Sequence, residues 1–388
     1  MARRILVAAA VLLGFGVVLA RLVVPAQVED AANRVTPHAP WQVDDETRVF
    51  HRTLVVGDLH SDTLLWDRDL RDRASRGHVD LERMREGNIA IQVFPAVTKS
   101  PQGQNYDSNT GDSDNITWLA LLQGWPPATW SSLKARALHQ AERLHAVEEA
   151  APDRLRVIRT RADLDEVLAQ RAQGEPLAGG LLATEGSHAL DGEIASIAEL
   201  REAGFRMMGL HHFFDNRLGG SLHGLSGAGL TPFGEAAVDA MVEQGILIDV
   251  AHSSPQVVRD VLDRTDAPLV VSHTGIREVC DTPRNIPDAV IAEIGARGGL
   301  IGIGFWDAAV CDTTPAGIAR AIRAAVGLAG IDHVALGSDW DGGTEVMIDA
   351  SETAALTQAL LDAGFTREET AKVMGGNLVR YLRENLPR

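Results

Sequence analysis

The segment Gly57-Asp58-Leu59-His60-Ser61-Asp62 sets an imidazole and a carboxylate two residues apart. In extended backbone such residues project to the same side, so His60 and Asp62 can grip one cation together. Imidazole nitrogen plus carboxylate oxygen suits zinc, and also iron or manganese. Two further histidines, His252 and His273, each follow an apolar run, and Glu185 closes another. The histidines could hold a second ion, with Glu185 bridging the two groups. Two ions ~3.5–4 Å apart can share and activate one water and polarise the bond to be cut. The chemistry this set predicts is metal-assisted hydrolysis. Asp58 and Asp249, just ahead of the ligands, either orient the histidines or satisfy backbone groups at strand ends. Asp339 and Asp341 either act in the site or cap the segment that follows them.

Such a constellation requires a fold that collects strand ends in one place. Eight short apolar runs fit: Leu54–Asp58, Ile89–Phe94, Gly180–Thr184, Phe205–Leu210, Ile246–Val250, Pro268–Ser272, Leu300–Phe305 and Val334–Gly337. Between most of them lie stretches of helical period, such as Ile194–Ala203, Pro232–Gln244, Pro255–Arg264, Pro287–Ala296 and Pro315–Leu328. Several open with Pro, which the first helical turn tolerates. Near-continuous apolar strands imply burial on both faces under helices. Eight of them alternating with helices predict an α/β fold, a (β/α)8 TIM-type barrel, whose functional groups sit at the C-terminal strand ends. A doubly wound open sheet is the alternative, but no GxGxxG follows the first strand. The stretch from Pro95 to about Asp153 is too long for a plain connection. It is expected to be an insertion after the second strand, a loop plus helices over the barrel mouth. The tail Ser351–Arg388 reads as helical, broken at Gly375-Gly376.

A net charge of −17 disfavours a non-specific nucleic-acid binder. The two cysteines, Cys280 and Cys311, form no CxxC pattern; they are read as free thiols, with a single disulfide open if the chain is exported. Arg3 and Arg4 precede an apolar run from Ile5 to Ala20 that resumes at Leu22–Val24. This is the pattern of a secretory signal or signal-anchor, with cleavage after Ala26 or membrane attachment through residues 5–24 both open. Residues 1–26 are thus expected to be leader or anchor, 27–50 a linker, and 51–388 the catalytic domain. The location follows: exported, periplasmic or anchored to a bacterial inner membrane with the barrel outside the cytoplasm.

From about Val55 to Tyr381 the sequence resembles the membrane dipeptidase (renal dipeptidase) family of zinc metallopeptidases, in a bacterial form. The resemblance rests on GDLHSDTL at Gly57–Leu64, ATEGSHAL at Ala183–Leu190, RMMGLHHFFDN at Arg206–Asn216, LIDVAHSS at Leu247–Ser254, VVSHTG at Val270–Gly275, PRNIPD at Pro283–Asp288, GSDWDG at Gly337–Gly342 and GGNLVR at Gly375–Arg380. It implies a (β/α)8 barrel with two zinc ions that cleaves dipeptides by a metal-bridging hydroxide. It also implies that His60 and Asp62 bind one zinc, His252 and His273 the other, and Glu185 both. By the same resemblance His212 meets the substrate carbonyl, Arg284 receives the substrate carboxylate, and Asp339 handles protons. His211 stands where the family usually has threonine. Homodimers are common in such enzymes, so a homodimer is left open.

Two other readings compete. An amidohydrolase-like barrel acting on another amide, lactone or ester could use the same ions. Those enzymes usually open with His-x-His, where this chain has Asp62, and commonly bridge their metals with a lysine, which no strand end supplies. A non-catalytic exported binding protein would be expected to have lost a ligand, and none is missing. His188, His211 and His223 near the motifs are expected to be bystanders or pocket lining.

Overall fold

The computed structural model describes residues 20, 21 and 23–388. Nine parallel strands appear in chain order: β1 (Val56–Asp58), β2 (Ile89–Val97), β3 (Leu155–Val157), β4 (Ala178–Glu185), β5 (Phe205–Gly209), β6 (Leu247–Asp249), β7 (Val270–Thr274), β8 (Leu300–Ile303) and β9 (Val334–Leu336). Their order is β2-β1-β9-β8-β7-β6-β5-β4-β3, and β2 also pairs with β4 along its length, from Ile91↔Gly179 to Val97↔Glu185. That pairing closes an eight-stranded barrel and leaves β3 outside it, bonded only to the start of β4. The eight barrel strands are the eight apolar runs of the sequence.

Side chains alternate across each strand, and the alternation sorts the two cores. Leu181, Leu247, Val270, Leu300 and Ala335 join Ile91, Val93 and Met207 in one buried cluster that fills the barrel. Their chain neighbours Leu182, Ile248, Val271, Ile301 and Leu336 belong to the outer cluster beneath the helices. The helix Asn377–Asn385 closes the bottom, where Leu378, Tyr381 and Leu382 pack on the inner cluster. Its approach needs Gly375: a Cβ there would lie 2.1 Å from the Val55 carbonyl oxygen ahead of β1. This is the break expected at Gly375-Gly376.

Three helices start from a repeated signal. Thr231, Ser254 and Thr314 each accept a backbone N–H three residues on, and each is followed by Pro in the first turn. The helices are Pro232–Glu243, Pro255–Arg264 and Pro315–Ala329, close to the predicted bounds.

The long insertion divides in two. Its 18-residue helix Leu133–Ala150 covers the barrel wall, while the residues before it, with the helix Asn115–Gln123, lie over the mouth. Residues 27–50, expected to be a linker, are packed against the barrel. Glu29 and Asn33 are buried, and Val35 pairs with Val346. Most of the expected leader or anchor at 1–26 lies outside the described residues. Among the described residues no helix is long and apolar enough to cross a membrane.

One expectation is corrected. Cys280 and Cys311, read as free thiols, form a disulfide with Cα atoms 5.4 Å apart. They are 31 residues apart in the chain, but they sit on the loops after β7 and β8, which are neighbours in the barrel. Sequence separation conceals that adjacency.

Candidate metal centre

The inward positions that carry apolar residues low in the barrel carry polar ones at its mouth. On β4 the inward series is Leu181, Ala183, Glu185; on β6 it is Leu247, Asp249; on β7 it is Val270, Ser272. Past β1 the chain bends at Leu59 and is then held by its neighbours on both sides. Ser61 N–H bonds Val93 and Asp62 N–H bonds Trp340. This ties the His60–Asp62 segment between β2 and the loop after β9.

These elements bring seven of the predicted residues around one point. Glu185 Oε1 lies 3.3 Å from His60 Nε2, 3.2 Å from His252 Nε2 and 3.6 Å from His273 Nε2. Its other oxygen lies 3.4 Å from His212 Nε2. His60 Nε2 is 3.4 Å from Asp62 and 3.9 Å from Asp339. Three overlapping donor sets result, each within 4.8 Å: His60, Glu185 and His273; Glu185, His212 and His252; His60, Asp62 and Asp339.

The donors fit a cation. His60 Nε2, Asp62 Oδ1 and Glu185 Oε2 are buried without a hydrogen-bond partner, and a buried polar atom left so is costly. His252 and His273 turn their Nε2 atoms to within 2.9 Å of each other, an arrangement that a shared cation satisfies. The protonation balance agrees. Burial raises Asp62, helped by the charge of Glu185, to about 7. Asp339 is raised well above the carboxylate range, first by burial and then by Asp62 and Glu185, against His60 and Arg284. Burial would also raise Glu185, but His212, His60 and His252 hold it well below its ordinary value.

The histidines are fixed from behind by a residue the sequence reading missed. Ser272 Oγ donates to Asp249 Oδ2 at 2.6 Å and can accept from both His60 Nδ1, at 3.1 Å, and His273 Nδ1, at 2.8 Å. With both Nδ1 atoms protonated, both Nε2 lone pairs point to the centre. Asp249 therefore acts on the histidines through Ser272. Asp58 instead holds backbone, accepting His60 N–H and Ser338 N–H along with the Gln92 amide. Parity on β7 was the one available signal for Ser272.

Arg284, the remaining predicted residue, lines the same cavity of about 330 Å³ as His212 and Asp339. His212 donates Nδ1–H to the Lys99 carbonyl at 3.1 Å, leaving Nε2 toward Glu185. Arg284 is buried, bonds the His273 carbonyl at 2.9 Å, lies 5.0 Å over Trp306, and has an unpartnered Nη1. Tyr106, from the insertion, also reaches the cavity and accepts the Trp306 indole N–H at 3.0 Å; nothing in its sequence context marked it. Asp339 takes up φ +61°, a conformation that aspartate tolerates better than most residues. Asp341 does not reach the cavity. It is buried against Thr63, His78 and Arg68. His211 and His223 are buried behind the lining, and His188 is half-buried: His211 bonds Ser253, and His223 bonds the Tyr106 carbonyl.

A (β/α)8 barrel with clustered imidazoles and carboxylates at its C-terminal strand ends has the form of a metal-dependent hydrolase. Comparison with known proteins makes the assignment particular. The sequence profile of the membrane dipeptidase family (peptidase family M19) matches residues 44–386. The chain belongs to that family and is a metallo-dipeptidase by class. It is 27% identical over 320 residues to dipeptidase aclJ of Aspergillus oryzae, covering 79% of this chain and 69% of the relative. It is 28% identical over 229 residues to dipeptidase 3 of Mus musculus, covering 53% of this chain and 44% of the relative. The solved metallopeptidase of Rhodobacter sphaeroides, liganded with a phosphinate mimic of the dipeptide L-Ala-D-Ala, superposes with a TM-score of 0.70 at 26% identity, covering 86% of this chain and 99% of that one.

Proposed function

We propose that the protein hydrolyses dipeptides at a two-zinc centre, with His60 and Asp62 on one ion, His252 and His273 on the other, and Glu185 on both. The observation that carries this reading is Glu185 itself. It is a buried carboxylate with one oxygen within 3.6 Å of three imidazole nitrogens and the other left without a hydrogen bond. Zinc ions held there would supply Lewis acidity and a water acidic enough to attack a carbonyl near neutral pH.

The chain's own residues then divide the remaining work. His212, oriented by the Lys99 carbonyl, turns Nε2 toward the carbonyl oxygen; burial lowers its pKa, so it donates there only once it has taken up a proton, as charge builds on that oxygen. Asp339, buried beside Asp62 and Glu185 with its pKa raised well above the carboxylate range, takes the proton of the water and passes it to the leaving amine. Arg284 offers its free Nη1 to the substrate's C-terminal carboxylate, a charge-assisted bond that restricts cleavage to short peptides. The mimic held by the Rhodobacter sphaeroides relative fits the same substrate class.

Export is part of the proposal. The basic, apolar N-terminal pattern supports it, as does the Cys280–Cys311 disulfide, since such bonds persist in oxidising compartments.

Chelation tests the function. Metal-stripped protein should lose hydrolysis of free dipeptides and regain it at two equivalents of zinc, with C-terminally amidated dipeptides much poorer substrates throughout. Full activity at one equivalent, or equal rates on free and amidated peptides, would refute the centre or the Arg284 role respectively.

A further inference from the structure

The cavity has a wall that the family-matched residues do not supply. Val28 and Ala32 line it alongside Leu65, Trp66, Ile116 and Leu119. They lie on a helical stretch, residues 23–32, that precedes the matched span beginning at 44. Ala32 packs directly on the apolar cluster of Leu65, Trp66, Ile116 and Leu119.

This stretch is built in. Glu29, 1% exposed, pairs with Arg68 and, at 2.6 Å, with Arg76. Arg68 also pairs with Asp341, whose carbonyl accepts the Trp66 indole N–H at 2.7 Å. Asn33 Oδ1 accepts the Gly343 N–H at 2.8 Å, and Arg34 and Thr36 exchange backbone bonds with Val346. Glu29 and Asn33 thus fasten the stretch to the two loops that flank the site, the one after Asp62 and the one that follows Asp339. A buried carboxylate between two guanidiniums is costly to remove, so the wall holds its place.

We propose that residues 28–33 form a specificity-determining wall, which with Leu65, Trp66, Ile116 and Leu119 makes an apolar subsite for the side chain of the dipeptide's N-terminal residue. The inference rests on the dipeptidase reading above. The assignment to that residue follows from placement. Arg284 sits behind β7, bonded to His273, whereas the wall stands on the loop after β1, three strands round the barrel. With the carboxylate on Arg284 and the scissile carbonyl at the metal centre, the side chain on the far side belongs to the residue with the free amine. Ala32 is the smaller of the two side chains of this stretch that line the cavity, and it sets how far the substrate's side chain can enter.

The test is Ala32→Phe in the full-length, zinc-loaded protein, assayed on Phe-Ala against Gly-Ala and on Ala-Phe against Ala-Gly. The kcat/KM ratio of Phe-Ala to Gly-Ala should fall roughly tenfold or more, since pocket contacts of this size discriminate by that much. The ratio of Ala-Phe to Ala-Gly should shift far less. Val28→Ser, at a rim position that is 43% exposed and so tolerant of change, should lower the first ratio a few-fold. A first ratio unchanged by both variants overturns the wall, and a shift confined to the second ratio overturns its assignment to the N-terminal residue. Wild-type protein that cleaves neither series overturns the dipeptidase reading and the wall with it.

Discussion

The bottom and the mouth of the barrel are made by the same strands at the same inward positions, yet they differ in kind. Leu181, Leu247 and Val270 are buried hydrocarbon packed under the helix Asn377–Asn385. Two or four residues on, Glu185, Asp249 and Ser272 are equally buried but polar. The lower layer gains stability from burial alone. The upper one bears desolvated carboxylates and imidazoles that only a bound cation and a few exact hydrogen bonds can compensate. Folding energy and chemistry are thereby separated along each strand, as the barrel architecture permits, and substitutions at the two levels should fail in different ways.

Glu185→Gln should show the largest effect. It keeps the size of the side chain and removes the charge that faces three imidazoles. Activity should fall roughly a thousandfold or more, the several kcal/mol that a metal centre contributes, and bound zinc should fall below two per chain by elemental analysis. The metal-stripped protein should also lose some thermal stability, because the imidazoles that hold the Glu185 carboxylate below its ordinary pKa lose that charge. Full activity with two bound ions would end the bridging role.

Leu181→Ala addresses the other level. Leu181 is fully buried four residues before Glu185 on the same inward face. The cavity should cost about 2–5 kcal/mol of stability, read as a lower denaturation midpoint at unchanged slope. The kcat of the folded fraction and the zinc content should stay within a few-fold of wild type. A thousandfold loss of kcat at unchanged stability would show that the two levels are not separable.

The same division explains what the sequence discloses. All eight barrel strands are legible because apolar, β-branched runs bounded by helical period have few other uses. The proposed ligands His60, Asp62, Glu185, His252 and His273 are legible because each lies at or just past the end of such a run. What escapes is set by three-dimensional adjacency. The Cys280–Cys311 bond depends on β7 and β8 being neighbours. Tyr106 reaches the cavity from the middle of an insertion with no period to read. The packing of residues 27–36 depends on Glu29 meeting Arg68 and Arg76, and nothing local announces those partners. The proposed metal ligands lie at or just past the ends of barrel strands, whereas Tyr106, Val28 and Ala32 reach the cavity from segments outside the barrel.

Ser272 lies between these extremes and sharpens the comparison most finely. It touches no substrate, and one hydroxyl group carries three contacts: it donates to Asp249 and accepts from the Nδ1–H groups of His60 and His273. Removing it in Ser272→Ala frees both rings to protonate at Nε2 instead, which withdraws a lone pair from each proposed ion. Zinc affinity should therefore fall roughly 10–100-fold, the usual cost of losing a partner behind the ligands. A competing chelator titration would measure it. Activity at saturating zinc should recover most of the wild-type kcat, because the ligands themselves remain. The Asp249 carboxylate keeps the backbone donors of Ser272 and Ala251, so the fold should lose little. Unchanged affinity would mean that packing alone holds the two rings. A kcat that stays low at saturating zinc would mean that the hydroxyl does more than orient them.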